Sequence, residues 1–362
     1  MRADQNVDTI AGPPALDQAV TDPTAQWLGP VPGADDGIDV EALRLLLRTE
    51  LDRKWSEQRT ALDTICRHAM LPAGKLFRPV LLLISAQAVG GEAAWVLPAA
   101  VGAECGHVAS LIHDDIIDGD TMRRGRASVP YKYGTPDAII AGDALIFHLF
   151  ACLAECRETG VPDGRVTAAM AALADAGLAL CKGQSLESEL HRSRVFDLAS
   201  YVTMIRLKTA SSFRAACEIG AILGGGTPDE VSALTGYGDA LGTAFQIHDD
   251  LLPYTSDSRT AGKAATSDIR NGRATLPVIL AYRAGTDPDR ELIDDCLAGA
   301  TDPTLTLSRM AEILARTGAI AAAADVARQR ARWARRALDV LPPTGSRDTL
   351  AHYADLAIER DH

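Results

Sequence analysis

The first apolar period begins just after residue 37. Val40, Leu43, Leu46, Leu47 and Leu51 recur at helical steps, and Asp39 is placed to cap the start. The period then runs to the end of the chain, broken by short turn signals. These are Leu71-Pro72-Ala73-Gly74, Gly90-Gly91, Tyr133-Gly134-Thr135-Pro136, Gly160 to Gly164, Gly224 to Pro228, Gly285 to Pro288 and Pro342-Pro343. The intervals are of helix length, and strand-like alternation closed by hairpin signals is scarce. The pattern predicts an all-α chain of ~10 or more helices, packed as one bundle-like domain over residues 37–362. Residues 1–36 are rich in Pro, Gly, Ala and Asp and lack the period, so they are expected to be a mobile arm.

Composition sharpens this picture. Apolar residues make up 47% of the 362 and aromatics only 5%, so Ala, Leu, Val and Ile must fill the core. No repeat argues for a solenoid. A formal net charge of -12 excludes broad nucleic-acid binding, which needs a basic surface. Cys66, Cys105, Cys152, Cys156, Cys181, Cys217 and Cys296 are scattered and read as apolar fillers in a reducing compartment. No basic start precedes an apolar run at the N-terminus, and the most apolar stretch, Val80 to Val89, falls short of the ~20 residues of a span. A cytoplasmic protein without a membrane span is expected.

Two acidic motifs carry the chemistry. Leu111-Ile112-His113-Asp114-Asp115-Ile116-Ile117-Asp118 and Phe245-Gln246-Ile247-His248-Asp249-Asp250-Leu251-Leu252 share Ile-His-Asp-Asp and lie in different halves of the chain. Asp114 and Asp118 stand i and i+4, so one helix face presents both. Their neighbours are apolar, and like charges on a buried face are costly without a cation. Oxygen-only ligands suit Mg²⁺, which keeps waters and bridges to substrate phosphates. A lone Asp-Asp pair is more often a cap or a solvated patch; two copies within apolar helices are not. His107 and His113-Asp114 also fit the ligand set of a His-Asp phosphohydrolase, and the basic residues must decide. Lys75 and Arg78 follow a glycine turn, Arg123-Arg124-Gly125 follows the first motif, and Lys208-Thr209 and Gly262-Lys263 come later. In an acidic chain, cations beside acidic motifs would build a site for two diphosphates. A phosphohydrolase leaves both pairs unexplained.

With these motifs the chain resembles the trans-isoprenyl diphosphate synthase (polyprenyl synthetase) family, and within it is expected to be similar to the geranylgeranyl diphosphate synthases. The resemblance runs from about Leu43 to about Leu280 and includes Gly74-Lys75-Leu76-Phe77-Arg78-Pro79 and the stretch from Ser267-Asp268 through Thr275-Leu276-Pro277. It implies an isoprenoid-synthase bundle around a central cavity, and a prenyltransferase that condenses isopentenyl diphosphate with allylic diphosphates. Asp114, Asp115, Asp118, Asp249, Asp250 and Lys208 would be its catalytic set. Asp114 and Asp118 would ligate two Mg²⁺ and Asp249 a third. Arg123, Lys208, Thr209, Gln246 and Lys263 would hold the allylic diphosphate; Lys75, Arg78, His107 and Arg124 would hold isopentenyl diphosphate. A homodimer is implied.

In the family a bulky aromatic just before the first motif stops chain growth early; this chain has the small residues Ala109, Ser110 and Gly106 there, so the resemblance implies a product longer than farnesyl, with geranylgeranyl the central expectation. Phe147, with His148 and Phe150, is expected to set a deeper floor. The chain departs from the family at Pro253, where a third aspartate is usual; proline costs the Asp249 carbonyl its helical partner. Two other readings remain: a terpene cyclase, which ionises a prenyl diphosphate without isopentenyl diphosphate, and a non-catalytic subunit of a heteromeric synthase.

Overall fold

The computed structural model describes residues 38–194, 196–255, 272–298 and 303–359. The expected arm over 1–36 lies outside the described residues, as do Lys263, Ser267 and Asp268. Helix α1 (Val40–Lys54) is capped by Asp39, which accepts from the Ala42 N–H at 2.9 Å. Its inward face is Leu43, Leu47 and Leu51, whereas Leu46 faces solvent. A reciprocal Thr60–Asp63 capping box opens α2 (Ala61–Met70). Helix α3 (Phe77–Ala88) is apolar nearly all round and lies at the centre of the bundle.

Around it run α4 (Ala93–Asp118), α5 (Val129–Tyr133), α6 (Thr135–Glu155), α7 (Asp163–Ser193), α8 (Leu198–Ile205), α9 (Ser211–Gly224) and α10 (Pro228–Thr255). The remainder is α11 (Leu276–Ala284), α12 (Asp287–Leu297), α13 (Pro303–Arg316), α14 (Ala319–Ala337) and α15 (Gly345–Glu359). Helix α3 packs on α4 and α9, α9 on α7 and α10, α6 on α4, and α14 along α10. Small residues let these axes approach, which is how a core with few aromatics closes. A Cβ on Gly220 of α9 would sit 2.3 Å from the Leu82 carbonyl oxygen of α3. Helix α14 buries Ala319, Ala323, Ala327, Ala331 and Ala334 in one stripe.

The predicted breaks all fall at or between helix ends. Two features carry no such signal. Residues 122–127 form a hairpin, Met122–Arg123 against Arg126–Ala127, closed by Arg124 at φ 52° and Gly125 at φ 76°. A π-helical turn, Arg206–Ala210, joins α8 to α9. Helix α10 runs on through Pro253, which is buried and lines the central cleft.

By length and hydropathy alone, α4, α6 and α7 could each cross a membrane, which the Val80–Val89 stretch could not. Helix α4 spends most of its apolar surface inside the bundle and carries Glu104 and the first aspartate motif. Helix α6 instead turns Ile139, Ile140, Ile146, Phe147 and Phe150 outward.

Candidate active site

A cleft of about 1440 Å³ opens between the C-terminal half of α4, the hairpin, the end of α7, α8 with the π turn, and the end of α10. Its walls include Asp114 and Asp118 from one side and Asp249 and Asp250 from the other, so the two acidic motifs meet in space as their sequences suggested. Asp114 is largely desolvated; burial pushes its carboxyl above the ordinary range, Lys208 pulls it back and Asp118 raises it again. A carboxylate so placed favours a cation. Among the described residues, no three His, Cys, Asp or Glu side chains form a closed cage. An open, all-oxygen donor set of this kind suits a hard divalent ion that completes its shell with water and phosphate.

Asp115 does not face the cleft. Only 2% exposed, it accepts from Arg123 Nε at 2.8 Å and Nη2 at 2.5 Å, while the same Nη2 reaches Asp120 at 2.9 Å. Asp115 therefore anchors Arg123, a correction to its expected place among the catalytic carboxylates. Asp250 is likewise a fastener. Its carboxylate accepts from the Tyr201 hydroxyl at 2.5 Å, from Gln246 Nε2 at 2.9 Å and from the Leu276 N–H at 3.4 Å. Gln246 in turn accepts from the Thr209 hydroxyl at 2.8 Å, which joins α10 to the π turn.

That turn places Lys208. Gly183 of α7 lies directly beneath it, where a Cβ would come within 2.3 Å of the Lys208 backbone nitrogen. Lys208 Nζ reaches Glu187 at 2.5 Å. Arg273 sits on the other side of Glu187, with its Nε 3.7 Å away, and its Nη2 donates to both Asp118 oxygens at 2.7 and 2.8 Å.

The hairpin splits Arg123 from Arg124. Arg124 turns back over Gly74, where a Cβ would meet its guanidinium at 2.6 Å, and approaches Glu104 at 3.5 Å. Glu104 is 1% exposed; burial raises its carboxyl, with Arg124 and Arg78 opposing. Arg78 donates to the Ser212 hydroxyl at 2.8 Å and stacks 4.5 Å over the Phe213 ring; burial lowers it to about 10. Burial beside Arg78, Arg124 and Arg123 pushes His107 well below the usual imidazole range, so it is neutral at pH 7. Lys75 lies on the cleft rim, where Arg44 holds its carbonyl at 3.3 Å.

His113 points the other way, towards α6, with Asp143 3.7 Å from its Nε2. His113 and Asp114 thus occupy different faces, and the phosphohydrolase ligand set does not assemble.

The expected chain-length residues divide. Ser110 lines the cleft, with Leu111 and Leu180 beside it. Ala109 is buried outside the cleft wall. Gly106 faces Leu149 of α6, whose Cδ2 lies 2.9 Å from where a Cβ would stand. Phe147 is 73% exposed on the outer side of α6, so it is not the floor within this chain. Phe150 is also exposed, and His148 packs edge-on against Trp55 at 5.9 Å.

Sequence reading passed over Glu104, Gln184, Glu187, Tyr201 and Arg273. A signal existed for two of these: Gln184 and Glu187 sit three apart beside Gly183, just after a stretch of α7 rich in Ala and Leu. Arg273 lies within the stretch from Ser267 to Pro277 that carries the family resemblance.

Residues 59–314 match the polyprenyl synthetase family model. A short chain isoprenyl diphosphate synthase of Methanothermobacter thermautotrophicus is 39% identical over 295 residues, covering 82% of this chain and 89% of that protein. The crystal structure of a geranylgeranyl pyrophosphate synthetase from Pyrococcus horikoshii superposes with a TM-score of 0.81 at 30% identity, over 89% of this chain and 97% of that one. A polyprenyl synthase from Caulobacter crescentus, complexed with calcium and isoprenyl diphosphate, gives a TM-score of 0.79 at 30% identity, over 91% and 100% of the two chains.

Proposed function

The chain belongs to the polyprenyl synthetase family, and on that premise we propose that it extends allylic diphosphates to geranylgeranyl diphosphate. Its activity is that of a trans-prenyltransferase: isopentenyl diphosphate is joined to an allylic diphosphate. The observation that carries condensation over cyclisation is the second cationic pocket. Arg78 and Arg124 flank Glu104, and His107, neutral, lies beside both arginines in the same cleft. A cyclase has no use for such a pocket.

The family's dependence on a divalent metal fits the aspartates. Mg²⁺ held by Asp114 and Asp118, with a third ion on Asp249, would supply charge neutralisation to the departing diphosphate. In our reading Arg123, fixed by Asp115, and Lys208, seated by Gly183, grip the allylic diphosphate, and the Thr209–Gln246 pair braces the wall behind them. Lys263 retains its expected role as a further contact, resting on the resemblance alone. Arg78, Arg124, Lys75 and His107 hold isopentenyl diphosphate. Its double bond attacks the allylic cation, and the released diphosphate takes the proton. Phe77, Leu111, Leu180 and Phe245 add apolar wall to the cleft, which limits water access to that cation.

Geranylgeranyl length is favoured by Ser110, which leaves the α4 wall below Asp114 without a bulky aromatic, and by the likeness to the Pyrococcus enzyme. The outward row on α6, Ile139, Ile140, Ile146, Phe147 and Phe150, supports a homodimer through this face. Seven free cysteines support a reducing, cytoplasmic location.

The test is product analysis. Purified protein with Mg²⁺, isopentenyl diphosphate and each of dimethylallyl, geranyl and farnesyl diphosphate should yield a twenty-carbon diphosphate by mass spectrometry. Hydrocarbon or alcohol formed from an allylic diphosphate alone would overturn the reading in favour of a cyclase.

A further inference from the structure

The cations and carboxylates at one end of the cleft are paired with one another. One Arg273 nitrogen bridges both oxygens of Asp118, at 2.7 and 2.8 Å. The pair is largely shielded, with the two side chains 24% and 17% exposed. The Nε of the same guanidinium faces Glu187 at 3.7 Å, and Glu187 already takes Lys208 at 2.5 Å and Gln184 at 3.1 Å. Four charged groups from α4, α7, the π turn and the segment before α11 thus form one chain: Asp118, Arg273, Glu187, Lys208.

We propose that Arg273 is a resident counter-cation of the first aspartate motif, and that it must leave Asp118 before that carboxylate can ligate a divalent cation. This rests on the reading of Asp118 as a metal ligand. The argument is one of occupancy. A carboxylate has about four lone-pair sites on its two oxygens, and here a single guanidinium nitrogen lies between both oxygens, on the chelating side that a cation held by the two together would need. A cation arriving at Asp118 competes with Arg273 for the same atoms, and the two positive charges repel at that distance.

Glu187 makes the exchange practicable. An arginine driven off Asp118 would be costly if it were left uncompensated in a shielded cleft. Its Nε already points at Glu187, so a small rotation keeps it paired, provided that Lys208 releases that carboxylate. Lys208 has reason to do so when a diphosphate enters, because phosphate oxygens are its alternative acceptors. Divalent cation and diphosphate therefore favour each other's entry through this chain, and either one alone works against an ion pair that the protein has already made.

The experiment is Mn²⁺ binding by the full-length, chelator-treated protein, followed by electron paramagnetic resonance without any diphosphate. Wild type is compared with Arg273→Gln, Arg273→Lys and Asp118→Asn. Removal of the competing charge should tighten Mn²⁺ binding by about five- to tenfold in Arg273→Gln. The lysine variant keeps a charge without the fork and should fall between glutamine and wild type. Asp118→Asn should weaken Mn²⁺ binding. If it does so while both Arg273 variants bind Mn²⁺ no more tightly than wild type, the competition is refuted and Asp118 stands as a ligand. If Asp118→Asn leaves Mn²⁺ binding unchanged, the ligand reading fails and the proposal falls with it.

Discussion

The Tyr201 hydroxyl of α8 donates to the Asp250 carboxylate of α10 across 2.5 Å, in the wall of the cleft. Asp250 is 5% exposed and gathers donors from Gln246 and from the Leu276 backbone as well. One side chain of the second aspartate motif thus ties α8, α10 and the start of α11 together, and its neighbour Asp249 inherits a fixed backbone.

Tyr201→Phe tests that tie. It keeps the ring and deletes one donor to a buried carboxylate, so unfolding free energy should fall by about 1–3 kcal/mol. Urea denaturation measures it. A stability equal to wild type would mean that the phenol contributes nothing net.

Asp114 and Asp115 are adjacent in sequence and opposite in role. Asp114→Asn removes a carboxylate from the cleft wall, and kcat should drop by about a hundredfold or more. Asp115→Asn instead loosens Arg123, so KM for the allylic diphosphate should rise several-fold while Mn²⁺ affinity stays near wild type. Equal loss of Mn²⁺ affinity in both variants would contradict Asp115 as a mere anchor. The double aspartate alone could not reveal this, because a helix turns 100° per residue and only the packing says which of two neighbours faces in.

The same limit explains what was legible. Helix spacing, the turn signals and the meeting of the two motifs followed from local periodicity and from the cost of burying like charges, both of which act along a single element. The hairpin at 122–127 did not, because its two-residue strands are too short to show alternation; Arg124-Gly125, as the left-handed pair of the turn, was the readable clue. Glu104 and Arg273 escaped because their meaning is tertiary. A lone acid within an apolar helix reads as exposed until the hairpin brings Arg124 over it. Phe147 failed for the complementary reason: helical spacing counts turns along α6 but does not say which side α4 covers.

Glu104 should show itself in the pH dependence of stability. Burial raises its carboxyl, so between the ordinary value of 4.5 and the raised one the folded protein holds a proton that the unfolded chain has released. The folded state then binds more protons, and stability falls as pH rises through that window. Glu104→Gln cannot ionise and should show a shallower fall over the same interval. The variant also removes the acidic partner that Arg124 approaches at 3.5 Å, so Arg124 is held less firmly and KM for isopentenyl diphosphate should rise about tenfold, equivalent to ~1.4 kcal/mol. Identical pH profiles for the two proteins would show that Glu104 does not titrate there.

Product length provides the sharpest contrast between two residues that sequence placed in one pocket. Ser110 lines the cleft next to Leu111, so Ser110→Phe inserts a ring into the space that the growing prenyl chain must enter. Products should shorten towards farnesyl, because overpacking so confined a wall costs ~1–3 kcal/mol for any chain that pushes past it. Phe147 stands outside, on the exposed row of α6. Phe147→Ala should leave product length unchanged and instead weaken self-association, since about 1.5–3 kcal/mol of burial per side chain is lost from a packed face. Mass spectrometry of products and sedimentation of each variant separate the two effects. Longer products from Phe147→Ala would mean that the channel of one copy ends against the α6 surface of another, which would make the assembled pair, and not the single chain, the unit that measures the product.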